Sequence, residues 1–571
     1  MSRSTDIDVV ARRIRVLGRP AFGGLLIALL FWLPALTPTL IPRTPTAQVG
    51  INAVILAIAY GIGALVGLCI RLLFLGGGRS AGPGVRRIGW IVLGVGWLVG
   101  GLFGAVLWVN WQNDQRSFMG METVDAFDAV LMVSLSVVGG AGLVVVGRLI
   151  SRLVLAVVRL SRRLLPSVPV APAVGLTILL VGVGLVGWAA WQGIVAFANA
   201  TYGSANASTD EGIEQPDSAS VSGSSESLVA WDTLGRWGRN FVASATTAED
   251  LEAFHGAVAE LSEPVRVYVG LDSAGSASER AELAVRELDR AGGFDREVLV
   301  VWVPTGTGWM IPEAADALEL LHRGDTAIVA TQYSFLPSLL AVFMEPGREI
   351  EAGSALYSAV HSHWLGLPPD QRPQLVLFGK SLGTVGVETP FVGADASASI
   401  ANLLSGADGA LIVGAKRTNP IHSQLTQERD PGSPVWQPIV DGGRSVRFLS
   451  QDPDQPDLGQ WALPRIVYLQ HPSDPVPFWG IDALWRPPEW MDQPRGFDVP
   501  EAASWYPIVT GVHAAVDLIF QLDTPPGFGH VYATEYVEGW GSVIPPDGWT
   551  DADTARLEEF VGREPPSEEQ P

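Results

Sequence analysis

The stretch PQLVLFGKSLGTVG, Pro373–Gly386, decides how the rest of the chain is read. It contains Gly379-Lys380-Ser381-Leu382-Gly383, a Gly-x-Ser-x-Gly pentapeptide. With 64 glycines in 571 residues, chance alone supplies that pattern on the order of once in every few chains. The flanks carry the information. QLVLFG (374–379) has the continuous apolar character of a strand buried on both faces, and a helix is predicted to follow Gly383. A serine between strand and helix sits on a nucleophile elbow. The glycines permit the sharp turn, and the first N–H groups of the helix face the charge that develops on an attacked carbonyl.

Outward from this point, strand and helix patterns alternate. VRVYVGL (265–271), EVLVVWVP (297–304), TAIVATQYS (326–334), GALIVGA (409–415) and RIVYLQH (465–471) read as further strands. SERAELAVRELDRAG (278–292), EAADALELLHRG (313–324) and GSALYSAVHSHWLGL (353–367) have helical spacing. The alternation predicts a mainly parallel sheet with helices on both faces.

A nucleophilic serine needs a base, and the base needs an orienting acid. In α/β-hydrolases they follow the serine in the order acid, then histidine. Asp474, in IVYLQHPSDPV, comes just past a strand, where catalytic groups gather in such sheets. His530, in the Pro/Gly-rich loop DTPPGFGHVYA, is the expected base. The competitors are weaker. His513 lies in a helical pattern and reads as a helix-face residue, His471 reads as structural or pocket-lining, and Asp482 is the nearest rival acid. The oxyanion donors are expected to be the Leu382 N–H and an N–H from Thr305-Gly306-Thr307-Gly308-Trp309, first of all Thr305 or Gly306, where glycine lets a backbone approach a ligand. GLDSAG (270–275) is the alternative donor loop. After Asp474 a long segment holds Phe478, Trp479, Trp485, Trp490 and Trp505. Trp309, Trp479 and Trp485 are the candidate walls of an apolar substrate pocket. The same density of Trp and Pro serves equally to pack a long excursion.

VWVPTGTGW (301–309), TQYSFLPS (331–338) and FGKSLG (378–383) resemble the actinobacterial membrane α/β-hydrolases of the ninth α/β-hydrolase family. The resemblance covers nearly the whole chain, the linker and tail described next excepted. It implies a C-terminal α/β-hydrolase domain behind an N-terminal multi-span region and a membrane location, and little about the substrate.

The N-terminal third carries five apolar runs near the length a membrane span needs, about 20 residues. They are Ala21–Pro42, Val49–Leu75, Ile88–Val109, Ala129–Gly147 and Ala173–Ala198. The expected organisation is an all-α transmembrane bundle over 1–198, a flexible polar linker over 199–228, an α/β-hydrolase catalytic domain over 229–562 and a disordered acidic tail over 563–571. Fourteen arginines flank the runs on one side: Arg3, Arg12, Arg13, Arg15, Arg19, Arg71, Arg79, Arg86, Arg87, Arg148, Arg152, Arg159, Arg162 and Arg163. Only Arg43 and Arg116 lie on the other. By the positive-inside rule the N-terminus is cytoplasmic, and five crossings put the catalytic domain outside the cytoplasmic membrane.

The net charge of −22 argues against a nucleic-acid partner. Cys69 is the single cysteine, which excludes an intramolecular disulfide and thiolate metal sites, and no cofactor or metal is implied. The expected partners are the lipid bilayer and an ester or lipid-like substrate. The expected activity is that of a serine hydrolase of esterase, lipase or thioesterase type. Two rivals share the fold: an acyltransferase, in which a hydroxyl replaces water, and a binding or assembly protein on a retired hydrolase domain. A transporter is disfavoured because the apolar runs carry no charge in their middle.

Overall fold

The computed structural model describes residues 20–73, 82–164, 170–257, 260–452 and 454–563. The basic N-terminal segment, Arg79 and the acidic tail from residue 564 lie outside the described residues. The chain divides into two compact units. One holds the residues up to Gln192 together with Gly480–Met491 and Asp498–Phe520, and the other holds Gly193–Trp479, Asp492–Phe497 and the residues from Gln521.

The first unit is helical. α1 (Phe22–Trp32), α2 (Pro45–Leu73), α3 (Pro83–Phe118), α4 (Ala126–Leu164) and α5 (Ala171–Ala207) follow in order, the end of α5 belonging to the second unit. Four of them, α2 to α5, are long and apolar enough to cross a membrane. Leu98 and Leu102 on α3, Val138 and Val145 on α4, and Leu185 and Val186 on α5 are exposed. Apolar surface on this scale suits lipid, not water.

The expected count of five spanning helices is corrected at the first run. Ala21–Pro42 yields an α-helix of only 11 residues, about 16 Å long, because Pro34 and Pro38 cannot donate to a helical ladder. A 3-10 turn, Pro34–Leu36, and extended chain continue from it. The whole run lies antiparallel to α2. A Cβ on Gly23 would sit 2.8 Å from Gly63 O, while Ala35 O accepts a 2.8 Å bond from Gln48 Nε2. Gly63 to Gln48 is about 22 Å of helix. Glycine makes the approach possible, since a Cβ on Gly63 would lie 2.2 Å from Gly23 O. The two arginines counted as loop charges, Arg43 and Arg116, are buried. Arg116 donates to Arg43 O at 3.0 Å, and the Arg43 amide donates to Gln112 Oε1 at 2.7 Å.

The second unit carries the sheet. α6 (Gly235–Ala243) and α7 (Ala248–His255) lead into β1 (Val265–Val269), α8 (Ala277–Arg290), β2 (Val298–Val303), α9 (Pro312–Leu321), β3 (Thr326–Thr331), α10 (Ser338–Met344), α11 (Arg348–Gly366), β4 (Gln374–Lys380), α12 (Gly383–Glu388), α13 (Ala396–Gly406), β5 (Gly409–Val413), α14 (Pro420–Gln427), β6 (Val446–Leu449) and β7 (Arg465–Leu469). α15 (Val509–Ile519), α16 (Glu535–Val543) and α17 (Asp551–Val561) are the last helices among the described residues. The strands pair in the order β1-β3-β2-β4-β5-β7-β6, every pair parallel. β1, β2, β3 and β5 are buried along their whole length, as their continuous apolar runs require. β4 is the central strand.

Two sequence expectations change here. Residues 199–228 are not a flexible linker. The first nine complete α5, and Ser222 N donates to Arg266 O at 3.0 Å while Arg266 N donates to Ser220 O at 3.2 Å, alongside β1. Ser227 Oγ and Leu228 N donate to the buried Glu287 carboxylate at 2.6 and 2.8 Å. The polar side chains that cannot build a core find hydrogen-bond partners instead. The tryptophan-rich excursion packs with the first unit: Tyr506, Val509, Val512 and Val516 lie against Ala35, Ile51 and Ile55. His513, at the same helix, donates from Nε2 to Ala35 O at 3.1 Å, and Asp517 accepts the buried Arg43 guanidinium at 3.3 Å.

Candidate active site

Ser381 follows β4 directly and has φ 53°, a left-handed conformation costly for a side-chain-bearing residue. Its neighbours make room for it. A Cβ on Gly383 would lie 2.2 Å from Val303 O, and one on Gly379 would lie 2.8 Å from Val387 Cγ2. Behind the turn a buried network fixes the elbow. Thr384 Oγ1 donates to Ser381 O, and Asn419 Nδ2 donates to Thr384 Oγ1 at 2.8 Å. Glu388 accepts from Asn419, from the Ile421 and His422 amides that open α14, and from Tyr468 OH. Burial pushes the Glu388 carboxyl up to about 7 in spite of those donors.

His530 and Asp474 meet. His530 Nδ1 lies 2.7 Å from Asp474 Oδ2, which also accepts Tyr532 OH at 2.8 Å. Asp474 Oδ1 accepts the Val476 amide at 2.9 Å. A carboxylate that only accepts places the proton on Nδ1, and Nε2 is then left with its lone pair. That Nε2 is buried and has no hydrogen-bond partner among the described residues. Ser381 is fastened beside this pair. Its amide donates to Val413 O at 2.9 Å, and the next residue, Gly414, lies against both partners: a Cβ there would sit 2.4 Å from His530 Cε1 and 3.2 Å from Asp474 Oδ2. No bond joins Ser381 Oγ to Nε2 here; such contacts are often loose until substrate binds.

The loops that carry Asp474 and His530 are stitched together by Ser473 and Glu535, which the sequence did not single out, and by His471, read there as structural or pocket-lining. Gly529 N donates to Ser473 Oγ at 2.9 Å. His471 donates from Nδ1 to Gly529 O and from Nε2 to Glu535, both at 2.9 Å. Its ring stacks on Tyr532 with centroids 4.1 Å apart. Gly414→Ala is expected to displace His530, since the position also has φ +57°. A misplacement near 1 Å lowers the rate of active-site acylation by about 10²-fold. Fluorophosphonate labelling rates on protein with unchanged circular dichroism check this, and wild-type labelling would refute it.

Lys380 was passed over because it occupies the variable position of the pentapeptide. Among 37 basic residues the chain has only two lysines, Lys380 and Lys416, and that rarity was a usable signal. Its Nζ is buried without a hydrogen-bond partner among the described residues. It lies 5.3 Å from the Trp309 ring and 5.7 Å from the Tyr532 ring, within cation–π range of both. Burial pushes its ammonium down from 10.5 to about 8, against the opposing pull of Glu313, Asp474 and Glu535. Between those values the unfolded chain holds a proton that the folded chain has released. Lys380 therefore makes the fold more stable as pH rises from about 8 to about 10.5. The stability of the wild type relative to Lys380→Met is expected to increase over that interval, read from denaturant midpoints. A difference that stays flat with pH would contradict it.

The remaining predicted residues are placed as follows. Leu382 is buried in the first turn before α12, where helix N–H groups have no partner within their own helix. The Thr305 amide donates to Trp309 O at a long 3.4 Å, and the Gly306 amide donates to Ser338 Oγ at 3.2 Å. Trp309 is buried, with the Trp237 ring 6.4 Å away and Lys380 over its face. Trp479 and Trp485 are exposed, the first in the sheet-bearing unit and the second in the helical one. Among the described residues no group of His, Cys, Asp and Glu side chains is arranged to hold a metal ion.

A parallel sheet with a strained serine turn after its central strand, and an Asp–His pair whose acid lies just past β7 and whose histidine lies on the loop before α16, defines an α/β-hydrolase fold. The chain belongs to the ninth α/β-hydrolase family: the α/β-hydrolase family pattern matches residues 265–557, and the α/β-hydrolase family N-terminus pattern matches residues 36–245. No curated protein and no solved structure matches the chain.

Proposed function

We propose that this membrane-associated protein is a serine hydrolase acting on a carboxylic ester or thioester. The observation that carries the reading is the left-handed Ser381 turn held one residue from the His530–Asp474 pair. In the proposed cycle His530 Nε2 takes the Ser381 proton as Oγ bonds to the substrate carbonyl carbon. The oxyanion is held by the Leu382 N–H and by that of Thr305, the less firmly engaged of the two loop amides. Asp474 stabilises the imidazolium through Nδ1. Collapse breaks the bond to the leaving alcohol or thiol, which takes the proton from His530. Water then gives a proton back to His530 as its oxygen attacks the acyl-enzyme; the acid leaves, and Ser381 regains its hydrogen. The test is turnover of a chain-length series of esters by the purified full-length protein, with the free acid measured as product. Absence of any acid release, with the protein folded, refutes the assignment.

The arginine distribution supports a cytoplasmic N-terminus and an extracytoplasmic hydrolase unit. In this reading the first apolar run, though broken, counts as a crossing, since it follows α2 for about 22 Å, and the number of crossings is odd. A reporter active only outside the cytoplasm, fused after Pro571, is expected to be active. Activity of a cytoplasm-only reporter at that point would reverse the topology.

A further inference from the structure

α10, SLLAVFM, has one polar residue, Ser338, and apolar side chains on every face. Leu340, Ala341 and Met344 pack toward the core. Leu339, Val342 and Phe343, spaced i, i+3, i+4 and so on one face, are exposed, Phe343 by 67%. Single exposed apolar residues need no explanation, but a contiguous face does.

Two neighbours within the same unit say what covers it. One is the end of α5, a helix of membrane-spanning length. Gln332 Nε2 donates to Asn206 Oδ1 at 2.9 Å, and a Cβ on Gly203 would lie 3.7 Å from the Phe335 ring. The end of α5 therefore rests on the segment that leads into α10. Ile194 and Phe197, nearer the membrane-spanning part of α5, are themselves exposed. From Ala198, where the apolar run ends, to Gly203 is a rise of about 8 Å, which fits the headgroup layer bordering a core about 30 Å thick. The other neighbour is the Thr305–Trp309 loop. Ser338 Oγ accepts the Gly306 amide, and a Cβ on Gly306 would lie 2.6 Å from Ser338 Cα. The first turn of α10 rests on the candidate oxyanion loop.

We propose that α10 is an interfacial helix whose Leu339–Val342–Phe343 face lies at the boundary between lipid headgroups and acyl chains, and that the adjacent site takes its acyl ester from a lipid resident in that bilayer. The substrate assignment rests on the hydrolase reading of Ser381; the docking assignment does not. A long-chain ester crosses water poorly because the unfavourable transfer grows with every methylene. A helix seated at the boundary and resting on the oxyanion loop brings the ester to the nucleophile without that transfer.

The test uses the full-length protein in phosphatidylcholine–phosphatidylglycerol vesicles. Cys69→Ser removes the only cysteine, and Phe343→Cys then carries a nitroxide. Oxygen, which partitions into the bilayer, is expected to relax the nitroxide more strongly than a water-soluble nickel chelate does. Stronger relaxation by the chelate, or shielding from both by a protein partner, overturns the docking. In the second arm, combined Leu339→Ser, Val342→Ser and Phe343→Ser is expected to slow hydrolysis of a vesicle-borne long-chain ester at least tenfold more than that of a short soluble ester. Equal slowing of both overturns the lipid assignment. If the wild type takes no fluorophosphonate, the hydrolase reading and the substrate assignment fall together, while the nitroxide result still decides the docking.

Discussion

Ser381→Ala is expected to abolish covalent labelling of the protein by fluorophosphonate, and His530→Ala or Asp474→Asn to lower turnover by about 10⁴-fold. The size of the effect follows from the geometry. Nε2 of His530 has a usable lone pair only while Asp474 holds the proton on Nδ1, at 2.7 Å. Asparagine at 474 can donate through its amide and so reverses that tautomer. Labelling kinetics and ester turnover on the same preparations separate the roles: the serine variant takes no label, whereas the other two take it slowly. His513→Ala is expected to leave the labelling rate near wild type, because its imidazole is bonded to Ala35 O in the helical unit. Label retained on the alanine variant of Ser381 would place the nucleophile elsewhere.

The largest expected loss of stability comes from Asp517→Ala. Arg43 and Asp517 are 474 positions apart and both buried. The guanidinium also donates to Thr37 O, Gln48 Oε1 and Thr39 Oγ1. Removing the carboxylate leaves a buried cation without its counter-charge, which destabilises by about 3–5 kcal/mol. The double variant Arg43→Met, Asp517→Leu removes both charges and is expected to recover most of that loss, since a buried pair replaced by apolar groups is often near neutral. Unfolding midpoints in one detergent compare the three proteins. If the single variant unfolds with the wild type, Arg43 is solvated and the pairing is not structural. Between Asp474 and His530 the chain contributes Gly480–Met491 and Asp498–Phe520, Asp517 among them, to the helical unit.

Much of the fold was legible because buried parallel strands announce themselves as unbroken apolar runs, and six of the seven strands were read that way. β6 escaped: Val446–Leu449 is only four residues, one of them arginine, between polar neighbours. Ser381 was legible because its turn needs glycine on both sides, which a motif records. What was misread depends on partners far away in the chain. Composition cannot tell that Ser222 bonds to Arg266, or that a short-loop arginine finds Asp517. Hydropathy averaged over Ala21–Pro42 conceals the break that Pro34 and Pro38 impose. Tyr532, Glu535 and Gly414 support the acid and base through contacts no local pattern encodes, and Lys380 was visible only as a rare residue type.

The packing of residues 208–228 has a consequence for how this protein meets other molecules. A flexible chain of some 30 residues gives a tethered domain a roaming radius of about 30 Å, enough to collect substrates through a thick layer. Here those residues are spent on the fold, bonded to Arg266 and Glu287. The stretch between the end of α5 and β1 is therefore bonded chain with no leash to lengthen, and under the substrate reading proposed above encounters would be set by what drifts past in the plane of the membrane.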